Sequence, residues 1–232
     1  MLSTPAVRLI LGTPALLALG TPLPVILPTS ITGARNYHRE GQIDWRVVRD
    51  CLIAGFLGTF IGSMLNPWLG GHLLMLLTAV IVFAIGLDFA TGARQRRLAS
   101  QHAASSYQRS RSFSIGAIGG FLSGLLGIGG GVFMVPAFIV SLGMPAKKAF
   151  GTSLVVVAGL AVPGTLIHWR LGHIDWMLAL WLTLGVIPGA HLGSIVALRA
   201  RESRLVNGFG VFLMTIALIF AGQEVLHLLQ GR

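Results

Sequence analysis

Acidic residues are scarce in this chain: seven Asp and Glu stand against seventeen Lys and Arg among 232 positions, and charged residues of both signs reach only 10%. Hydrophobic residues make up 54% and the mean hydropathy is +0.80, so too few polar side chains remain to cover a water-soluble surface. A soluble globular class is excluded on that ground. Cysteine is nearly absent too, and the single Cys51, set in an apolar run, can form no intrachain disulfide and is expected to serve packing. Runs that alternate polar and apolar residues are missing, which argues against a membrane barrel. What the chain does contain is continuous apolar stretches at 47–65, 73–90, 149–167, 177–198 and 205–221. Each approaches the roughly 20 residues that a helix needs to cross a hydrocarbon core of about 30 Å. The expected fold class is therefore all-α, a polytopic transmembrane helical bundle.

The chain also repeats itself. Residues 5–90 align without a gap onto 136–221 at a constant offset of 131, with matches that include Pro14/Pro145, Gly20/Gly151, Thr21/Thr152 and Gly33/Gly164. They continue through Gly41/Gly172, Asp44/Asp175, Trp45/Trp176, Gly58/Gly189, Gly62/Gly193 and Ser63/Ser194. Shared apolarity would not align so many Gly, Pro, Asp and Trp. Two homologous halves in an apolar chain point to transporter architecture, with a substrate site where the repeats meet. The expected organisation is a first repeat at 1–91, a basic linker at 92–112 and a second repeat at 113–232. The first twenty residues could pass for a secretory leader, but their match to 136–151 argues against one.

Loop charge orients the helices. The linker carries Arg94, Arg96, Arg97, Arg109 and Arg111 without an acid, and the positive-inside rule places it in the cytoplasm, so the net charge of +10 reads as anchoring rather than nucleic-acid binding. The clusters at Arg35 to Arg49, at Lys147 and Lys148, and at Arg199 to Arg204 all reach that side if 113–142 dips in and returns as a re-entrant hairpin. The corresponding loops 34–45 and 165–176 then face opposite sides, which makes the halves inverted repeats. Two thin crossings through 113–142 give a parallel alternative. The inverted reading is preferred on charge bias.

Five features bear on the question of chemistry. Gly119, Gly120, Gly124, Gly127, Gly129, Gly130 and Gly131 fall within thirteen residues, and three consecutive glycines weaken a helix by roughly 1 kcal/mol each. Non-helical backbone inside a membrane survives only where protein buries it or a cavity receives it. A helix break there would offer amide N–H groups to an oxyanion, although the spaced glycines also suit close helix packing. Gly151-Thr152-Ser153, matched by Gly20-Thr21-Pro22, places hydroxyls at a helix start, where they serve either an anion or their own helix carbonyls. The Gly-x-Ile-Asp-Trp pair reads as architecture, with Asp44 and Asp175 as N-caps and each Trp at an interfacial belt. The glycine pairs 58/62 and 189/193 have the spacing of close helix packing. His191, whose counterpart is Phe60, is an intramembrane ionisable group and hence a candidate proton relay, or else a hydrogen-bond donor to a nearby carbonyl.

The run GFLSGLLGIGGGVFMVPAFIVSLGMPAKKAFGTSL at 120–154, followed by RLGHIDW at 170–176, resembles the TauE/SafE family of sulfite exporters, also called the sulfonate uptake permease family. The resemblance implies a multi-pass bacterial inner-membrane permease for sulfur oxyanions or organosulfonates, coupled to protons or another ion. It carries over the family motif positions Gly127, Gly129, Gly130, Gly131, Pro136, Gly151, Thr152 and Ser153. It also exposes a departure. The first-half counterpart of 127–131 falls before Met1, so the first hairpin is expected to be missing, through a misassigned start, a fragment or a decayed copy.

The expected function is secondary transport of sulfite or an organosulfonate, with Gly127, Gly129, Gly130, Gly131, Thr152, Ser153 and Thr21 binding the anion near mid-depth and His191 a proton relay. The expected partners are a small anion, the bilayer and a coupling ion, with no nucleic acid, cofactor or metal. A non-transporting or truncated subunit is one alternative, and an intramembrane serine hydrolase using Ser123 and His191 is a weaker one.

Overall fold

The computed structural model describes residues 17, 20–69, 71–91, 108–127 and 130–230, and its regular elements are all α-helices. In chain order they are α1 (Pro22–Arg39), α2 (Trp45–Leu69), α3 (Gly71–Thr91), α4 (Arg109–Leu126), α5 (Gly131–Ser141), α6 (Ala146–Arg170), α7 (Trp176–Arg199) and α8 (Glu202–Gln230). Among the described residues three helices are long and apolar enough to cross a membrane, Trp45–Leu65, Ala146–Arg170 and Trp176–Arg199, with shorter apolar helices at Leu77–Leu87 and Gly131–Ser141. One helix was not marked by an apolar run. α1 has three prolines that dilute its pattern, yet Pro22 sits in its first turn, where a missing N–H costs nothing.

The repeated Gly-x-Ile-Asp-Trp sequence becomes the same turn twice. Gly41 at the end of α1 and Gly172 at the end of α6 are left-handed, with φ of 65° and 71°. Gly41 N–H donates to His38 O at 3.0 Å and Gln42 N–H to Tyr37 O at 2.8 Å; Gly172 and His173 bond Trp169 O and His168 O at 3.0 and 2.9 Å. This is the paired bonding of a glycine-terminated helix. The aspartates then cap the next helices as expected. Asp175 Oδ1 accepts from Leu178 N–H at 3.0 Å, and Asp44 Oδ1 accepts from Arg46 and Val47 N–H at 3.2 and 3.4 Å.

Two helix pairs organise the bundle. α1 and α6, equivalent in the repeat, lie antiparallel: Gly33 packs on Leu154, Gly164 on Leu23, and Gly151 on Tyr37. α2 and α4 lie parallel in intimate contact, with Gly116 on Cys51, Gly55 on Gly120 and Gly124 on Thr59, each step four residues on. A side chain at Gly55 would come within 2.8 Å of Gly116 O, so glycine is what permits the approach. Cys51 fills this seam, its Sγ donating to Ser112 O at 3.2 Å, which agrees with a packing role. The second-half copy of the ridge, expected to pack likewise, does not. Gly185, Gly189 and Gly193 of α7 have no described atom within 4 Å of a built side chain, because no described helix takes beside α7 the place that α4 takes beside α2.

The α4–α5 pair forms a hairpin whose open ends meet. Arg111 Nη1, near the start of α4, donates to Ser141 O, at the end of α5, at 3.0 Å. Gly130 packs against Gly119 O and Ser123 Cβ, ten residues or more into α4. Gly130, and with it the start of α5, thus lies about 15 Å from the basic end, half the depth of a hydrocarbon core, while α4 itself runs on to Leu126, about 26 Å from Arg109. Positive charge gathers at that end: Lys148 pairs with Asp44 at 3.0 Å, and buried Asp50 lies 3.1 Å from Arg49 and 3.9 Å from Arg109. α7 finishes there as well, since Ser194 meets Asn36 near the close of α1.

Candidate functional site

A cavity of about 260 Å³ lies between α1 and the second repeat, reached by α5, α6, α7 and α8. Its polar lining comes from Thr29 and Ser30 of α1, Ser153 of α6 and the backbone of Gly131, the first residue of α5; Val135, Phe150 and Phe209 wall it with apolar surface. The chain reaches this geometry because Gly127 and Gly130 adopt left-handed φ of 64° and 66°, ending α4 and starting α5. Gly130 could hold no side chain, which would meet Gly119 O at 2.6 Å. Phe133 and Met134 N–H donate to Gly130 O at 3.1 and 3.0 Å, which leaves the N–H groups of Gly131 and Val132 without an acceptor in the helix, and no described side chain caps them. The positive end of the helix dipole therefore faces the cavity wall at Gly131.

The expected site residues divide between two places. Gly131 and Ser153 line the cavity; Gly130 precedes Gly131 in the chain and Gly127 ends α4, neither of them in the lining, while Gly129 lies outside the described residues. Ser153 Oγ donates to Phe150 O at 2.9 Å, and Thr29 Oγ1 donates to Val25 O at 2.8 Å, so these hydroxyls turn to an anion only by changing rotamer.

Thr152 and Thr21 are elsewhere, and they do something the sequence reading did not foresee. Thr152 Oγ1 accepts from Asp44 N–H at 3.0 Å, and Thr21 Oγ1 accepts from Asp175 N–H at 3.1 Å. Both threonines are fully buried. The neighbouring glycines explain their conservation of register: Gly151 lies against Gln42 O and Gly20 against His173 O, where a side chain would collide with backbone. Each half thus inserts its Gly-Thr into the other half's Gly-x-Ile-Asp turn. Each hydroxyl keeps one proton to donate.

His191 stands exposed on α7, its Nδ1 3.3 Å from Asn36 Nδ2, which donates to Ser194 Oγ at 2.7 Å. It neighbours Ala190 on the cavity lining. Ser123 packs beside Gly130 and His191 bonds Asn36, with no contact between Ser123 and His191 among the described residues. One residue was missed altogether. His168, matched by Tyr37 in the first half, is completely buried, and an ionisable group near the end of an apolar helix was the available signal. Beyond the spans, burial lowers the pKa of His173.

A family model for the sulfite exporter TauE/SafE matches residues 1–220. The chain is 29% identical over 221 residues to a probable membrane transporter protein of Xylella fastidiosa strain 9a5c, covering 94% of this chain and 85% of the relative. It is 27% identical over 224 residues to the probable membrane transporter protein YunE of Bacillus subtilis, covering 90% and 80%. A probable membrane transporter protein of Methanocaldococcus jannaschii is 23% identical over 215 residues, covering 85% and 78%. No solved structure matches the chain.

Proposed function

The chain belongs to the sulfite exporter TauE/SafE family of membrane transporters rather than to an enzyme family, and from that membership we propose that it is a secondary permease for sulfite or a small organosulfonate. The observation that carries the reading is the uncapped start of α5, about half a hydrocarbon core deep and set against a cavity of about 260 Å³ between the repeats. Ligand pockets for larger molecules span about 300–1,000 Å³, so this volume favours a small ion over an extended substrate. Among the described residues no Lys or Arg lines the cavity, which leaves the α5 amides and the hydroxyls of Ser30 and Ser153 as donors. Gly127 and Gly130 hold the break open, and Thr152 keeps the Ser153 turn in place.

Alternating access follows from an inverted-repeat arrangement. The antiparallel packing of α1 on α6 and the reciprocal Gly-Thr clasps support it, because exchanging the halves maps each contact onto the other. A re-entrant α4–α5 hairpin is supported by the Arg111–Ser141 contact and by α5, which at 11 residues spans only about 16 Å. The basic end faces the cytoplasm, in keeping with the positive-inside rule and a bacterial inner membrane. The substrate is expected to move with protons or another ion.

Proteoliposomes of the purified chain should exchange radiolabelled sulfite, with taurine and methanesulfonate as competitors, across the membrane. Ser153→Leu, which fills the cavity, should lower exchange about tenfold or more, the effect of excluding a bound ion worth about 1.4 kcal/mol. Undiminished exchange in a correctly folded Ser153→Leu would take the cavity out of the pathway.

A further inference from the structure

A second polar cluster lies outside the anion cavity. His168 is fully buried near the end of α6, and its Nε2 is 3.4 Å from Gly124 O on α4. A carbonyl carries no proton, so Nε2 must donate, and Nδ1 is left as a basic lone pair. That Nδ1 has no partner among the described residues. Gly124 O also accepts from Ser63 Oγ at 3.4 Å, and Gly124 packs on Thr59. Thr59, Ser123 and Thr165, a turn before His168, contribute buried hydroxyls that likewise lack partners among the described residues. Buried polar groups are nearly always satisfied, and leaving one unmade costs roughly 1–3 kcal/mol. Thr59, Ser123 and Thr165 lie on α2, α4 and α6, the three helices that meet at Gly124, and three orphan hydroxyls beside an orphan imidazole nitrogen are not explained by packing.

The cluster has an entrance. The ring of His173, in the half-exposed α6–α7 turn, has its centroid 5.5 Å from that of His168, and its Nδ1 is also unpartnered. His173 is the ionisable side chain whose ring lies against His168; Leu23 and Thr59 pack on Gly164, one turn before it, and Thr59 and Ser63 on its partner Gly124, none of them charged. The carboxylate of Asp175, two residues on, is engaged as the α7 cap.

We propose that His173 and His168 form the proton path of the transport cycle, with His168 Nδ1 the buried site at which the coupled proton is held beside the α4 break. This rests on the transport reading above. His173 takes a proton from water on its side of the membrane and passes it to His168 Nδ1, a step within reach of one rotamer change or one water. The proton carries its positive charge with it, making His168 an imidazolium whose Nε2–H stays on Gly124 O and whose new Nδ1–H turns to the orphan hydroxyls. Because Gly124 lies one turn before the Gly127 bend, that charge bears directly on the hairpin that shapes the anion cavity. Return of the proton to His173, or to water entering as the halves rock, resets the site.

The test uses full-length protein in pyranine-loaded proteoliposomes with radiolabelled sulfite, comparing accumulation driven by a pH gradient with counterflow at equal pH. With a gradient of about one unit, coupling to one proton sustains about a tenfold accumulation. The ratio of driven accumulation to counterflow is expected to fall by about that factor in His168→Gln, with loss of the pyranine signal. His173→Gln, at a half-exposed position that should fold, is expected to slow the pyranine signal several-fold and guards against a misfolded His168 variant. A wild-type ratio in either folded variant, or counterflow without proton movement in the wild type, overturns the proton path and leaves the permease standing. Absence of counterflow in the wild type overturns the permease reading and the path with it.

Discussion

At the scale of single residues, the clearest result is that a Gly-Thr pair can be architecture. Thr21 and Thr152 satisfy the backbone N–H of Asp175 and Asp44, each at a turn in the opposite half. Replacing either by Val keeps the shape and strands a buried amide, so each is expected to cost about 1–3 kcal/mol. The two clasps lie at opposite ends of α1, about 27 Å apart, so the losses should add. Thermal melting in detergent of the two single variants and the double measures this; a double variant no worse than either single would show that the clasps are one cooperative unit. A second residue-scale effect concerns pH. Burial lowers His173, so its folded pKa lies below its unfolded value, and the unfolded state binds more protons as pH falls through about 6.5. Its contribution to stability is present above that pH and lost below it. The melting temperature should therefore drop between about pH 7.5 and 5.5, and His173→Gln should flatten part of that drop.

At the scale of elements, equal sequences met unequal surroundings. Gly62 of α2 lies against Phe121 O and has no room for a methyl group, whereas its repeat partner Gly193 of α7 faces nothing within 4 Å among the described residues. Gly62→Ala should destabilise by about 1–3 kcal/mol through overpacking. Gly193→Ala should be neutral or gain up to about 1 kcal/mol from helix propensity. A comparison of melting temperatures decides it, and equal losses would mean that α7 has a neighbour the described helices do not supply. The N-capping aspartates and the glycine helix ends were readable from the sequence because caps are local chemistry. α1 was not, since its prolines and polar residues hide a helix whose stability comes from α6.

At the scale of the whole molecule, the antiparallel α1–α6 pair and the single basic end make a definite topological prediction. In a Cys51→Ala background, Gln42→Cys should react with a membrane-impermeant maleimide from the cytoplasmic side, and His173→Cys from the other. Labelling from one side would overturn the inverted arrangement and restore the parallel one. The same experiment tests the division into repeats at 1–91 and 113–232 around the basic linker. The described part of that linker shows α4 already under way at Arg109, before the expected boundary.

The sequence by itself determined membrane residence, the helical class, the two-fold repetition and the family, because hydropathy, residue spacing and glycine runs are properties of the chain that no packing alters. It also located the helix break, since a left-handed backbone at Gly127 and Gly130 demands glycine wherever it occurs. Only the tertiary structure decided what the shared motifs are for. Thr21 and Thr152 find their partners 154 and 108 residues away, and His168 meets Gly124 across 44 residues. Such contacts arise when two halves close on each other, and nothing in the spacing of one half encodes where the other half's carbonyls and amides will lie.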